Sequence, residues 1–90
     1  MALVRLEVLG GARLIAGEHR IHLERKSAAA LSYLALEGRT PKPVLMALLW
    51  PEANSVTASS NFRQMLRRLR QASGEELVLG RGHAELVPHL

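Results

Sequence analysis

The feature that most constrains how this chain folds is the stretch from Asn54 to Gly74, which has the pattern of one long amphipathic helix. Asn54 or Ser55 can cap its first turn, because a short polar side chain accepts a hydrogen bond from an unpaired backbone N–H, and Gly74 can end it. The pattern predicts a helix over about residues 55–72, with Leu69 fully buried near the centre of its inner face. The apolar residues fall within a band about 120° wide; they are Ala58, Phe62, Met65, Leu66, Leu69 and Ala72.

The remaining face of this predicted helix is basic and has no acidic residue. Outside the helix, eight basic residues balance eight acidic ones, so the whole formal net charge of +4 comes from this one segment. Like charges four positions apart on a helix are destabilising unless a polyanion neutralises them. A basic stripe on one helix is typical of a protein that binds nucleic acid. The four arginines are Arg63, Arg67, Arg68 and Arg70.

The residues before this helix predict a small antiparallel β-meander and two shorter helices. Polar and apolar residues alternate over 3–9 and 20–23, as in half-buried strands, and residues 12–16 offer a second short strand between them. Turns are predicted at Gly10-Gly11 and Gly17-Glu18. Apolar residues at helical spacing then predict a first helix over 26–37, which ends at Gly38. Thr40 is expected to cap a second helix, with Pro41 in its first position and Pro51 after its end.

A hairpin is predicted at the C-terminal end, with strands over 77–79 and 84–87 and a turn at residues 80–82. Strands and helices that are segregated along the chain indicate an α+β fold. A length of 90 residues fits a single domain, residues 1–90. Three helices, of which the last is long and basic, followed by a β-hairpin wing, predict a winged helix-turn-helix.

The outward face of the long helix carries hydroxyl, amide and guanidinium groups. Arg67 and Ser60 are predicted to lie nearly opposite the core, with Arg68 nearer the edge of the outward face. Arginine can donate two hydrogen bonds to guanine, glutamine can pair with adenine, and hydroxyls can bind phosphates. These residue types therefore suit contact with a DNA groove. The flanking residues are Thr57, Arg63, Gln64, Arg70 and Gln71.

Three segments resemble the winged-helix domain of the antibiotic-regulatory-protein (SARP-like) type of bacterial transcription activators, which is similar to the OmpR-type effector domain. The combination of Leu49-Trp50-Pro51 with the run on the long helix is the specific part of the match. Val8-Leu9-Gly10 also matches the family's first strand and turn, and the match covers nearly the whole chain. The segments are 26–35 (KSAAALSYLA), 45–52 (LMALLWPE) and 58–74 (ASSNFRQMLRRLRQASG).

The resemblance implies sequence-specific binding of double-stranded DNA for transcription regulation, with the long helix in a major groove and the wing on the neighbouring minor groove or backbone. OmpR-type domains bind direct repeats, so a second copy in tandem on DNA is an expected partner. The family's larger members carry further domains, so this chain is expected to be stand-alone or excised. The family's base-reading positions fall on Arg63, Gln64, Arg67 and Arg68, and we expect backbone contacts from Thr57, Ser60, Arg70 and Arg81.

The wing departs from the family pattern. OmpR-type wings usually carry an Arg-Gly-x-Gly-Tyr-Arg run, whereas here Arg81-Gly82 is followed by His83, Ala84 and Glu85. A carboxylate at Glu85 would repel phosphate, so Arg81 is the one wing residue expected to reach DNA. Both side chains would also suit a contact with the adjacent copy.

Other features favour neither an enzyme nor a membrane protein. The chain has no cysteine, which excludes disulfides and thiolate ligands and suits a reducing cytoplasm. No apolar run approaches the roughly 20 residues of a membrane span. His19 and His22 are expected on opposite sides of a strand, so they do not form a metal site. No cofactor, small-molecule substrate or catalytic role is predicted either.

Two other functions stay open. An arginine-rich face also suits a protein interface, so the alternative is a protein-interaction winged helix whose basic face binds an acidic partner. RNA binding is disfavoured because the chain has one Phe, one Trp and one Tyr, too few for a base-stacking surface. Trp50 is expected to close the second helix against the third rather than to stack on a ligand.

Overall fold

The computed structural model describes residues 4–8 and 11–90, and in these ranges it has the predicted α+β fold. Three helices and two small antiparallel sheets follow one another along the described chain. Leu3, Leu9 and Gly10 of the predicted first strand and turn lie outside the described residues. Of the helices described, none combines the length and apolarity needed to cross a membrane.

The predicted N-terminal meander is confirmed. Its strands are β1 (Val4–Glu7), β2 (Arg13–Ala16) and β3 (His19–Ile21), which pair antiparallel in the order β1-β2-β3. The register places Leu14 opposite Leu6 on one side and Ile21 on the other, so apolar side chains share one face. That face contributes to the core.

The three predicted helices are also confirmed, with small changes at their ends. They are α1 (Arg25–Glu37), α2 (Lys42–Leu49) and α3 (Ser55–Ser73). Gly38 follows α1 with a φ of 75°, a conformation that costs glycine little because it has no Cβ. Residues 50–54 connect α2 to α3.

The prediction for the start of α2 is wrong. Thr40 and Pro41 form a short strand, β4 (Thr40–Pro41), and Thr40 Oγ1 donates to the Gly38 carbonyl at 2.8 Å instead of capping the helix. The helix begins at Lys42, whose backbone N–H donates to the Gly82 carbonyl at 3.0 Å. The reason is tertiary, because β4 completes a sheet with a distant segment.

That segment is the predicted hairpin, which is confirmed as β5 (Val78–Leu79) and β6 (His83–Leu86). The second sheet has the order β4-β6-β5, with Thr40 opposite Ala84 and Val78 opposite Leu86. The hairpin is thus paired with the connection between α1 and α2. This pairing holds it against the helical part of the fold.

The core consists of two clusters of buried side chains. The first joins the three helices to β6 and contains Ala30, Leu34, Leu45, Leu49, Phe62, Met65 and Ala84. The second joins the N-terminal sheet to α1, α3 and the hairpin and contains Val4, Leu14, Leu31, Leu69 and Leu77. Leu69 is 4% exposed, as predicted, whereas Ala72 is exposed and its predicted burial is wrong. Ala72 lies at the edge of the apolar band, in the last turn of α3, beyond both clusters.

Candidate nucleic-acid interface

Both ends of α3 are set by local hydrogen bonds. Asn54 Oδ1 accepts from the backbone N–H of Thr57 at 2.8 Å, which satisfies one of the unpaired donors of the first turn. At the other end Gly74 has a left-handed backbone with a φ of 80°, and its N–H donates to the Arg70 carbonyl at 2.8 Å. These caps determine where the helix begins and ends.

The buried residues of α3 determine which way its other side chains face. Ala58, Phe62, Met65 and Leu69 are buried at helical spacing, so the opposite face lies outside the core. Of the predicted site residues on α3, only Ser60 is half-buried, and Gln64 Nε2 donates to its Oγ at 3.5 Å. The exposed ones are Thr57, Arg63, Gln64, Arg67, Arg68 and Arg70.

Ion pairs divide the four arginines into two groups. Arg68 Nη1 lies 3.4 Å from Glu24 Oε2, and Arg70 Nη1 lies 3.8 Å from Glu76 Oε1. No carboxylate of the described residues lies within 4.0 Å of the guanidinium of Arg63 or Arg67. Arg63 and Arg67 therefore present charges that the described part of the fold does not neutralise.

The two ion pairs are weak because all four side chains are exposed to solvent. More than half of the side-chain surface is exposed in Arg68, Glu24, Arg70 and Glu76. Exposed pairs of this kind contribute about 0–1 kcal/mol to stability, since water and salt screen them. A phosphate could therefore replace either glutamate at little cost.

Contacts from other parts of the fold hold the end of α2, where the connection to α3 begins. Lys26 Nζ donates to the Leu49 carbonyl, where a positive charge also interacts favourably with the C-terminal end of the helix. Trp50 is half-buried and packs against the first core cluster, in agreement with its predicted role as an anchor. These contacts attach the end of α2 to α1 and to the core, at the point where the connection to α3 begins.

The hairpin presents a smaller and mixed set of charges. Arg81, His83 and Glu85 are all exposed. The turn requires glycine at Gly80, which has a φ of 114°, and a Cβ there would collide with the His83 carbonyl oxygen. Arg81 is thus carried on a tight turn, separated in the chain from the basic face of α3.

Sequence reasoning missed three residues of this surface. Glu24 and Glu76 approach arginines of α3 from other segments, and no local pattern indicates either pairing. Val56 is an exposed apolar side chain on α3, which the helical period of 3.6 could have placed on the outward face. Within residues 4–8 and 11–90, no three His, Asp or Glu side chains gather in a way that could hold a metal ion.

The chain was compared with protein-family models, with curated proteins and with solved structures, and none of them matches it. Only the residues and their geometry therefore indicate a function. The most distinctive of these are Arg63 and Arg67, on the exposed face of a long, capped helix.

Proposed function

We propose that this chain is a winged-helix domain that binds double-stranded DNA sequence-specifically for transcription regulation in the bacterial cytoplasm. The observation that carries the proposal is the exposure of Arg63 and Arg67, without a carboxylate partner in the described residues, on the face of α3 opposite the core. A helix about 10–12 Å in diameter fits the B-DNA major groove, which is about 12 Å wide. An uncompensated basic face on such a helix is complementary to DNA.

In this proposal the side chains of α3 have two tasks. Arg63, Gln64 and Arg67 read base edges, since guanidinium and amide groups make bidentate hydrogen bonds with guanine and adenine. Arg68 reads a base only after it leaves Glu24, which is 3.4 Å away. Phosphates are bound by Thr57, Ser60 and Arg70 on α3 and by Arg81 on the hairpin, which serves as the wing.

A single copy of so small a module reads few base pairs. We therefore propose that two copies bind direct repeats in tandem, about one helical turn apart. Arg81 and Glu85 of one wing would then lie near the neighbouring copy. Opposite charges on adjacent strand and turn positions suit such a protein contact.

A second candidate function is favoured by the ion pairs themselves. Arg68 and Arg70 already have carboxylates beside them, so the same face could bind an acidic protein. An acidic protein supplies negative charge without base edges. Sequence preference among duplexes therefore separates the two functions.

The test compares two double variants that remove the same charge from different places. Arg63→Ala/Arg67→Ala removes the proposed readers, and Arg5→Ala/Arg13→Ala removes two exposed arginines of the N-terminal sheet. Binding to a random-sequence duplex is measured against salt, and the wild-type affinity should fall with a log–log slope of about −0.9 per phosphate contacted. The α3 variant should lose at least about tenfold in affinity, and the sheet variant should stay close to wild type.

Selection from a random duplex pool completes the experiment. Enrichment of one motif by the wild type, lost in the α3 variant, supports sequence-specific DNA binding. If polyglutamate competes as well as the duplex and no motif is enriched, the acidic-partner function is favoured. Equal losses in both double variants would contradict the assignment of α3 as the binding element.

A further inference from the structure

One exposed side chain on α3 is neither polar nor basic. Val56, the second residue of α3, is 78% exposed and is the most exposed large apolar residue in the described chain. The other exposed large apolar residues of the described chain lie on α1, α2 or the hairpin. Val56 is therefore the one large apolar side chain that α3 presents so openly.

Helical geometry places Val56 on the same face as the proposed readers. Ser60, Arg63 and Arg67 follow it at intervals of four, three and four residues, which is the spacing of neighbours along one side of a helix. The buried Ala58 and Phe62 lie on the other side. Val56 thus stands at the N-terminal end of the line that contains Arg63 and Arg67.

Neither local stability nor packing accounts for valine at this position. A β-branched residue loses rotamer freedom in a helix, so alanine would be the better helix former at an exposed site. Val56 also belongs to neither core cluster. A contact made outside the chain would give its two methyl groups a role.

The major groove displays one apolar group, the C5 methyl of thymine, and N-terminal residues of recognition helices contact base edges. We propose that Val56 is a specificity-determining residue that selects a thymine by packing against this methyl group. The inference rests on the proposed function. The proposal places the thymine at the end of the half-site that faces the N-terminus of α3. Seen from the base read by Arg67, the thymine lies in the same direction as the base read by Arg63.

The experiment removes methyl groups from each partner in turn, one from the thymine and the two γ-methyl groups from Val56. In a duplex selected by the wild type, each thymine is replaced singly by deoxyuridine, which lacks only the C5 methyl. Wild type and Val56→Ala are then titrated onto every duplex. Leu36→Ala is the matched control, because Leu36 is 75% exposed but lies on α1.

For the wild type, deoxyuridine at one position should weaken binding about fourfold, the effect of one buried methyl or methylene group. Val56→Ala should bind the thymine duplex more weakly and should not distinguish thymine from deoxyuridine at that position. Leu36→Ala should retain the wild-type difference. Alanine at an exposed helical position preserves folding, which the melting temperature checks.

The inference is overturned if no deoxyuridine weakens wild-type binding, or if Val56→Ala keeps the full thymine preference. In either case, steep salt dependence and a selected motif would leave the proposed DNA binding intact. Failure to bind any duplex would overturn both proposals together. The two failures are therefore distinguishable.

Discussion

The helix α3 and the β5–β6 hairpin are the two regions proposed to contact DNA, and they differ in how they carry charge. The helix has 19 residues, a cap at each end and four arginines without an acidic residue between them. The hairpin has strands of two and four residues and presents Arg81, His83 and Glu85. The charged side chains of α3 are therefore all positive, whereas those of the hairpin include both signs.

The two regions are alike in how firmly they are anchored. Ala84 of β6 is fully buried in the same cluster as Phe62 and Met65 of α3. The hairpin also pairs with β4, which connects it to the helices. The hairpin thus differs from α3 in surface chemistry rather than in attachment, so it suits positioning more than base reading.

The largest effect on stability is expected from a leucine-to-alanine substitution in α3, compared with the same substitution in the hairpin. Leu69→Ala in α3 should lower the free energy of unfolding by about 2–5 kcal/mol, because Leu69 is buried in the second core cluster. Leu79→Ala in β5 should cost much less, since Leu79 is 38% exposed. Urea unfolding measures both. If the two variants unfold alike, the assigned facing of α3 is wrong, and with it the set of outward residues.

The next effect separates reading from charge on α3. Arg67→Lys keeps the positive charge but loses the planar fork that makes two hydrogen bonds with guanine. It should lose about 1–3 kcal/mol of discrimination at one base position while the salt dependence stays close to that of the wild type. Titration onto duplexes with single base changes measures this. Unchanged discrimination in Arg67→Lys would indicate that Arg67 contacts phosphate instead.

A smaller effect is expected at the edge of the basic face. Glu24→Gln removes the carboxylate beside Arg68 and frees the guanidinium for DNA, so duplex affinity should rise by up to about 1 kcal/mol. Glu18→Gln, on the exposed turn between β2 and β3, makes the same change in charge and is the control. An equal rise in both variants would show a general charge effect rather than release of Arg68.

The smallest effect is expected in the hairpin. If the wing contacts a neighbouring copy, Glu85→Gln should weaken binding to a duplex with two direct repeats by about 0.2–1 kcal/mol, as for an exposed charge pair. Binding to a single half-site should not weaken. Stepwise titration of the two duplexes measures the difference. Equal affinity per site on both duplexes for the wild type would argue against tandem contact.

Local sequence determined most of α3 and of the hairpin. The Asn54 cap and the Gly74 end follow from interactions between residues a few positions apart, and the helical period places Leu69 on the inner face, so all three could be predicted before any tertiary contact was known. The outward direction of Arg63 and Arg67 follows from the same helical period. The turn of the hairpin was likewise predictable from Gly80 and Gly82, which permit a tight reversal.

Only the tertiary structure decided how these local elements meet. Thr40 has the residue type of a helix cap, yet it lies in β4, because pairing with Ala84 satisfies its backbone within a sheet. The approach of Glu24 to Arg68 likewise depends on how α1 packs beside α3. Periodicity specifies which face of an element is buried, but it carries no information about which distant side chain lies across from it. That choice is made by packing, which brings together residues far apart in the chain.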